Sequence, residues 1–340
     1  MAYKVTLQPF GVEFSCNDNE TVLEAAFRAE VSLRYGCKHG GCGGCKAKLV
    51  EGFVDYSDNA AAISEAEKDA GITLLCCAYP DEDIVIQLGD DYTEADLTPE
   101  FPLQEYRLKL VVNENLTADI RHLVLDVIEP VRYGFRAGQF LEVKVPGTDQ
   151  WRAFSMANSP ADGGRVELVV KQLAGGLFGD YLSKVAMPGD ELIVRGPYGQ
   201  FCLFDTVAPI VMVAGGSGVA PIMSMIEALV AVNSPRAVHF FFGARSEKDL
   251  YWLEKIAEIG NQLTDFTFTP ALSEPEAGDH WQGERGLITE VLYRLTEDSL
   301  RGSEGYLCGP PGMIDAAIEV LKQKGMFGTR IAFDKFLSSQ

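Results

Sequence analysis

Cys37, Cys42 and Cys45 form a C-x4-C-x2-C run, and an adjacent pair, Cys76 and Cys77, follows after 30 intervening residues. Four thiolates at this spacing are the ligand set of a [2Fe–2S] cluster, a one-electron centre. The stretch from Gly36 to Cys45 holds 5 glycines in 10 residues. Glycine permits positive φ and close backbone approach, so the loop can wrap an anion and aim N–H groups at the sulfurs. Those dipoles offset the cluster's charge and raise its potential. A zinc site would show paired C-x2-C units or histidines, and a disulfide framework belongs to small secreted domains. His39, inside the loop, reads as a solvent-facing residue rather than a ligand. Cys16 and Cys202 lack ligand spacing and read as core.

A second site is written in Ala214-Gly215-Gly216-Ser217-Gly218-Val219-Ala220-Pro221, between an apolar strand pattern and a helix pattern. A glycine-rich turn there lets the backbone approach a dinucleotide pyrophosphate. Pro221 stands where a full G-x-G-x-x-G has its third glycine, so the motif is incomplete. Gly243-Ala244-Arg245-Ser246-Glu247 follows the next strand, where an adenosine ribose belongs. Arg245 can hold a 2′-phosphate or simply flank NADH, and Glu247 would repel a 2′-phosphate; the G-A-R-x-x-x-D-L pattern resembles that of NADH-using oxygenase reductases, which implies NADH.

Arg152-Ala153-Phe154-Ser155 resembles the R-x-[YF]-S flavin motif of the ferredoxin-NADP⁺ reductase superfamily. The resemblance implies FAD, with Arg152 on the diphosphate, Phe154 stacked on the flavin and the Ser155 hydroxyl at flavin N5. In the same family the stretch Lys171 to Leu182 sets Lys171, Gly175, Gly176 and Leu177 against the diphosphate at a helix N-terminus. The family commonly has Ser or Thr where this chain has Gly179, which removes one hydroxyl contact. Gly216 to Pro221 matches the family's G-[ST]-G-x-[AG]-P turn. Leu307-Cys308-Gly309-Pro310-Pro311-Gly312-Met313 resembles its C-G-[PS]-x-x-M segment, which implies Cys308 near the nicotinamide C4, with Gly309 and Pro310 beside it. Phe336 is the candidate for the aromatic that covers the flavin until nicotinamide displaces it, with Phe333 as an alternative core residue. Leu75-Cys76-Cys77-Ala78-Tyr79-Pro80 resembles the plant-type ferredoxin ending, which selects Cys76 as the fourth ligand and turns Cys77 to the other side of the chain.

These groups need elements to hold them. Residues 3–8 and 11–16 alternate as a hairpin, Thr21 and Glu24 form a capping box that opens a helix to about Glu30, and strands are expected at 47–51 and 84–88 with a helix at 63–70. Strand patterns at 107–112, 120–127, 140–145, 166–171 and 191–195 suggest an antiparallel barrel. From Pro209 strands and helices alternate, which implies a parallel doubly wound sheet. The expected fold is therefore multidomain: an α+β ferredoxin (β-grasp) domain over 1–91, a linker over 92–104, an antiparallel β-barrel flavin domain over 105–205 and an α/β doubly wound NAD(P)H-binding domain over 206–340.

The net charge of −20 disfavours nucleic acid as a partner. Residues 1–97 hold 7 Lys or Arg against 18 Asp or Glu, so −11 of that charge lies in the iron–sulfur third. An acidic face of this kind steers a basic partner. No leader or membrane-spanning pattern is visible, and cysteine use fits a reducing compartment, so the expectation is a cytoplasmic monomer. The order iron–sulfur loop, flavin barrel, nucleotide domain spans essentially the whole chain. It resembles the reductase components of bacterial multicomponent oxygenases, in particular those of phenol hydroxylases and toluene monooxygenases. The resemblance implies electron flow from NADH to FAD to [2Fe–2S] and on to a hydroxylase, or to a Rieske ferredoxin, docked near the cluster. A Rieske dioxygenase reductase, a free-standing flavin reductase or diaphorase, and a simple electron carrier are the alternatives. A carrier has no use for the two nucleotide motifs.

Overall fold

The computed structural model describes residues 1–36, 38, 40–56, 60–90, 92–275 and 280–336. The chain forms two compact units, Met1–Leu103 and Gln104–Gln340.

The first unit is the α+β ferredoxin domain. Its strands are β1 (Ala2–Gln8), β2 (Val12–Asn17), β3 (Lys46–Glu51), β4 (Val54–Tyr56), β5 (Ile72–Leu74), β6 (Ala78–Pro80) and β7 (Ile84–Gln87). Five of them form one sheet in the order β2-β1-β7-β3-β5, and β4 pairs with β6 separately. Alternation in β1 and β7 buries Val5, Leu7, Ile84 and Ile86. Helix α1 (Val22–Arg28) buries Val22, Leu23, Ala25 and Ala26, and the expected capping box is present: Thr21 Oγ1 accepts the Glu24 N–H at 3.2 Å, and the Glu24 carboxylate accepts the Thr21 N–H at 2.9 Å. Its Leu23 N–H donates to Leu75 O, which ties the helix to the turn that carries Cys76. Helix α2 (Glu65–Asp69) is capped in the same way by Ser64 and Glu67. Part of the expected linker is not a free connection. Leu97 is buried, Ser32 N–H donates to Leu97 O at 2.9 Å, and Arg34 N–H donates to the Tyr92 hydroxyl at 2.7 Å.

The second unit opens with the barrel: β8 (Gln104–Asn115), β9 (Ile120–Glu129), β10 (Phe140–Lys144), β11 (Trp151–Ser155), β12 (Arg165–Lys171) and β13 (Glu191–Tyr198), in the order β11-β10-β13-β8-β9-β12 with every pair antiparallel. A bridge between Met156 and Leu168 joins the two edge strands and closes the barrel. Inward residues such as Leu108, Leu123, Leu141, Leu168 and Val194 fill it, and helix α3 (Leu177–Lys184) adds Phe178 and Leu182 to the same core. Sequence periodicity suggested five strands. The sixth, β11, escaped because Trp-Arg-Ala-Phe-Ser has no clean alternation, yet it carries the flavin motif.

The remaining strands are β14 (Ile210–Gly215), β15 (Val238–Ala244), β16 (Phe266–Leu272), β17 (Glu284–Arg285), β18 (Glu304–Gly309) and β19 (Ile331–Lys335), all parallel, in the order β17-β16-β15-β14-β18-β19. Helices α4 (Val219–Ala231) and α5 (Leu253–Gly260) cover one face, and α6 (Ile288–Leu295) and α7 (Pro311–Gln323) the other. Alternation splits the buried strand residues between the faces: Met212, Ala214, Phe240, Phe242 and Cys308 on the first, Val211, Val213, Phe241 and Leu307 on the second. The first face shares its core with Ile120, Ala137, Ala157, Val169 and Phe201 of the barrel, so barrel and sheet pack as one body. Among the described residues no helix is long and apolar enough to cross a membrane.

Candidate functional site

In the iron–sulfur loop, Cys45 and Cys76 are buried and Cys42 half-buried. Cys45 Sγ lies 3.2 Å from Cys76 Sγ, within reach of one iron. A Cβ on Gly36 would stand 2.9 Å from Cys42 Sγ, so the glycine leaves room for the thiol. Gly40 and Gly43 take φ of 72° and 75°, values that glycine adopts without strain. The Gly44 N–H points at Cys42 Sγ at 3.4 Å, and the Gly40 N–H acts on Cys76. Contact with Cys45, then burial, pushes the Cys76 thiol far above its ordinary value. Two buried sulfurs this close carry charge together only with a cation between them, so the Cys45–Cys76 pair fits one iron of a cluster, although no group of three ligating side chains converges among the described residues. Cys37 and His39 lie outside the described residues.

Cys77 departs from expectation. It is buried, but its Sγ stays 3.7 Å from that of Cys76. Residues 75–77 form a turn, with Cys77 N–H bonded to Leu74 O, rather than an extended strand in which neighbours alternate sides.

The barrel brings the two flavin segments together. Phe154 on β11 packs against Phe178 in the first turn of α3, ring centroids 5.3 Å apart. Gly176 caps α3 without any side-chain hydrogen bond, so the first N–H groups of the helix stay open to an anion. Gly175 has φ +75°. Leu177 is exposed and Ser155 buried. The Arg152 guanidinium donates to Trp151 O at 2.9 Å and Gln150 Oε1 at 2.6 Å, and Lys171 pairs with Asp119 at 3.3 Å. A Cβ on Gly179 would meet Gln172 at an ordinary 3.6 Å, so the site has room for the Ser or Thr it lacks. An uncapped helix end beside an aromatic, with an arginine two residues away on the same strand, fits a flavin diphosphate.

The nucleotide segments meet between β14 and β18, where the strand order reverses. Ala214 and Cys308 are paired in register. A Cβ on Gly218 would overlap the Cys308 carbonyl and stand 2.8 Å from Gly309 N, and one on Gly309 would stand 2.8 Å from Gly215 O. The two turns therefore touch backbone to backbone. A Cβ on Gly215 would meet Met313 Sδ at 2.8 Å and Pro310 Cδ at 3.3 Å. Ser217 and Pro221 are buried. Cys308 is fully buried, and burial pushes its thiol well above the usual value. Arg245 is exposed, 3.7 Å from Asp249. Strand β19, unforeseen from sequence, pairs with β18 and delivers Phe336, whose N–H donates to Gly309 O at 2.9 Å and whose ring packs against the cluster holding Cys308. Phe333, the alternative, is exposed on that strand rather than in the core. Tyr251, which no motif signalled, is buried and donates its hydroxyl to Gly216 O at 2.8 Å, bracing the glycine turn where Gly216 takes φ +56°.

Residues 5–81 match the 2Fe-2S iron-sulfur cluster binding domain, residues 107–202 the oxidoreductase FAD-binding domain and residues 212–319 the oxidoreductase NAD-binding domain. The chain is 37% identical to the reductase component of propane 2-monooxygenase from Rhodococcus jostii (strain RHA1), over 99% of this chain and 92% of that one. It is 35% identical to the phenol hydroxylase P5 protein of Acinetobacter pittii (strain PHEA-2), over 100% and 96%. The crystal structure of the Amycolatopsis cytochrome P450 reductase GcoB superposes with a TM-score of 0.86 at 30% identity, covering 98% of both chains.

Proposed function

Because this chain belongs to the reductase components of bacterial multicomponent oxygenases, we propose that it serves a monooxygenase acting on a small hydrocarbon or a phenol. The chain is an NADH-dependent oxidoreductase that carries electrons from NADH through FAD to a [2Fe–2S] cluster. Relatives named for propane and phenol oxidation, matched along nearly their whole length, support the choice of acceptor.

In this reading Cys37, Cys42, Cys45 and Cys76 hold the cluster. Arg152, Lys171 and the open turn at Gly175, Gly176 and Leu177 hold the flavin diphosphate, and Phe154 stacks on the flavin. Gly215, Gly216, Ser217, Gly218 and Pro221 carry the NADH pyrophosphate, and Arg245 flanks the ribose. FAD, when bound there, would supply the conversion of a hydride's electron pair into single electrons. Ser155 flanks the hydride path from the barrel and Cys308 from the sheet, with Gly309 and Pro310 beside it. Phe336 lies over that point and gives way to nicotinamide. The oxygenase docks on the acidic iron–sulfur unit, whose charge speeds encounter with a basic partner. In this reading the protein works in the cytoplasm as a monomer; the reduced thiols of Cys16 and Cys308 support the reducing compartment.

The observation that carries this reading is the meeting of the glycine turn, the Cys308–Gly309 turn and Phe336 at the strand-order reversal, on the sheet face that shares its core with the barrel. Cys42→Ser tests the electron order. NADH-driven ferricyanide reduction should persist, and cytochrome c reduction should vanish. Equal survival of both would sink that order. Faster electron delivery to a Rieske oxygenase than to a hydrocarbon or phenol hydroxylase would overturn the choice of partner.

A further inference from the structure

Helix α4 carries two polar side chains that neither cofactor motif accounts for. Ser224 is fully buried, and its Oγ donates to the Asn158 carbonyl at 2.7 Å. Glu227, one turn along on the same helix face, accepts the Ser159 N–H on Oε2 at 2.6 Å. On the barrel side both partners are main-chain atoms, in the corner that directly follows Arg152–Ser155. That corner is itself pinned. Met156 bridges Leu168, Ala157 N–H donates to Glu167 O at 2.8 Å, and the Asn158 side chain accepts Glu167 N–H and donates to Arg165 O, both at 2.9 Å. At its other end α4 starts directly after the Gly216–Gly218 turn. Three residues of pinned chain span at most about 10 Å, and six residues of helix about 9 Å. Ser155 and Gly218 are thus joined by one short rigid path with two hydrogen bonds at its joint.

Several other contacts between barrel and sheet are of a different kind, although on the connection between them the Phe204 N–H also donates to the Tyr306 hydroxyl, at 2.8 Å. Phe201, Ala137 and Met225 pack without direction. Lys255 and Glu167 meet at 3.2 Å through long side chains that tolerate rotation. A serine and a glutamate in an apolar interface carry a desolvation cost, and burial raises the Glu227 pKa accordingly. Apolar residues would hold the two layers together as well, but hydrogen bonds to fixed main-chain atoms also set how the layers lie on one another.

We infer that Ser224 and Glu227 are positioning residues that set the approach of NADH at the glycine turn to FAD at Arg152–Ser155, and so the rate of hydride transfer rather than the binding of either cofactor. This rests on the cofactor assignment proposed above. The step is the balanced transfer of one hydride from nicotinamide C4 to the oxidised flavin, and a misplacement of about 1 Å costs about 100-fold.

The test uses the full holoenzyme with Ser224→Ala, Glu227→Ala and Glu227→Gln. Glutamine keeps an oxygen acceptor for the Ser159 N–H, and alanine does not. The readouts are flavin bleaching at saturating NADH, the effect of deuterium at the transferred position, the Kd for NADH and FAD bound per chain. Hydrogen exchange at the Ser159 amide in flavin-free protein is a readout independent of activity. Both alanine variants should bleach about 10- to 100-fold more slowly, with a larger isotope effect and with Kd and FAD content within about twofold. Ser159 exchange should rise in Glu227→Ala, and Glu227→Gln should recover to within about threefold of the parent rate. Parent-like bleaching in the alanine variants overturns the inference. So does a glutamine variant as slow as the alanine one, since charge rather than the hydrogen bond would then matter. Loss of FAD or NADH binding at an unchanged bleaching rate would also overturn it, because the residues would then act on binding. Failure of the cofactor assignment itself shows separately, as Arg152→Ala and Gly218→Ala proteins that bind both cofactors like the parent. Ser224→Ala removes a single oxygen, so it decides the matter by itself if Glu227→Ala does not fold.

Discussion

Gly218→Ala puts the contact between the two nucleotide turns under direct test. The new Cβ would overlap the Cys308 carbonyl and lie 2.8 Å from Gly309 N. Restoring an ordinary contact of ~3.5 Å to the nitrogen needs a shift of about 0.7 Å, and clearing the carbonyl needs more, so the turns must part by roughly 1 Å. Both neighbours are backbone atoms held in parallel strands, so no flexible side chain can yield. Overpacking of this kind costs about 1–3 kcal/mol. For a unit of this size that lowers Tm by about 2–12 °C. The same displacement moves the NADH-binding turn, and kcat/KM for NADH with ferricyanide should fall about 100-fold, equivalent to about 2.7 kcal/mol of transition-state stabilisation. FAD content should stay near one per chain, because the flavin segments lie on the barrel. Gly312→Ala is the reference. No atom lies within 4 Å of its added Cβ, and its place in α7 should make it neutral or slightly stabilising. If Gly218→Ala kept kcat/KM within twofold and melted with the parent, the turns would not be in rigid contact and the reasoning would fail.

Three further outcomes are expected. Glu167 is held near a pKa of about 2: burial alone would raise it, but the hydrogen bond from His122 and the charge of Lys255 outweigh burial. Its folded pKa lies below the unfolded one, so its contribution is present above about pH 4.5 and is lost as pH falls towards 2. That contribution amounts to at most about 3 kcal/mol. Denaturant midpoints of the parent and Glu167→Gln should therefore differ most at neutral pH and converge in acid, and a constant gap would refute the linkage. Arg236→Met should cost up to about 3–5 kcal/mol in urea unfolding, because it removes the buried cation from the fully buried Glu304 carboxylate and leaves it Thr206, Tyr306 and the more exposed Arg330 at 3.7 Å, and adding Glu304→Leu should recover much of the loss. Cys77→Ala should keep full iron content and the visible spectrum, while Cys76→Ala should lose both. The reverse result would reassign the fourth ligand.

Several parts of the site were legible in the residues because the interactions that make them are local. The C-x4-C-x2-C loop needs its glycines within ten residues, and Gly40 and Gly43 do adopt positive φ beside the thiols. Thr21 caps a helix through Glu24, three residues away. The alternation of strand and helix after Pro209 needs only the period of apolar side chains, and the sheet follows from it. The short strands β4, β5 and β6 of the ferredoxin unit have too few residues for a period to show.

What tertiary structure alone decided involves partners far apart in the chain. Strand β11 exists because β10 lends it hydrogen bonds and Leu168 closes the barrel beside it, not because its own residues alternate. Phe336 reaches Gly309 because β19 finds an open edge on β18. Ser224 and Glu227 look like ordinary polar residues of an apolar helix until Asn158 and Ser159 arrive across the interface, and Tyr251 gains its role only through Gly216. The spacing of like residues along the chain announces chemistry that a single loop can assemble. The distance and angle between two such loops are set by packing and by hydrogen bonds to distant backbone atoms, and no local pattern records them.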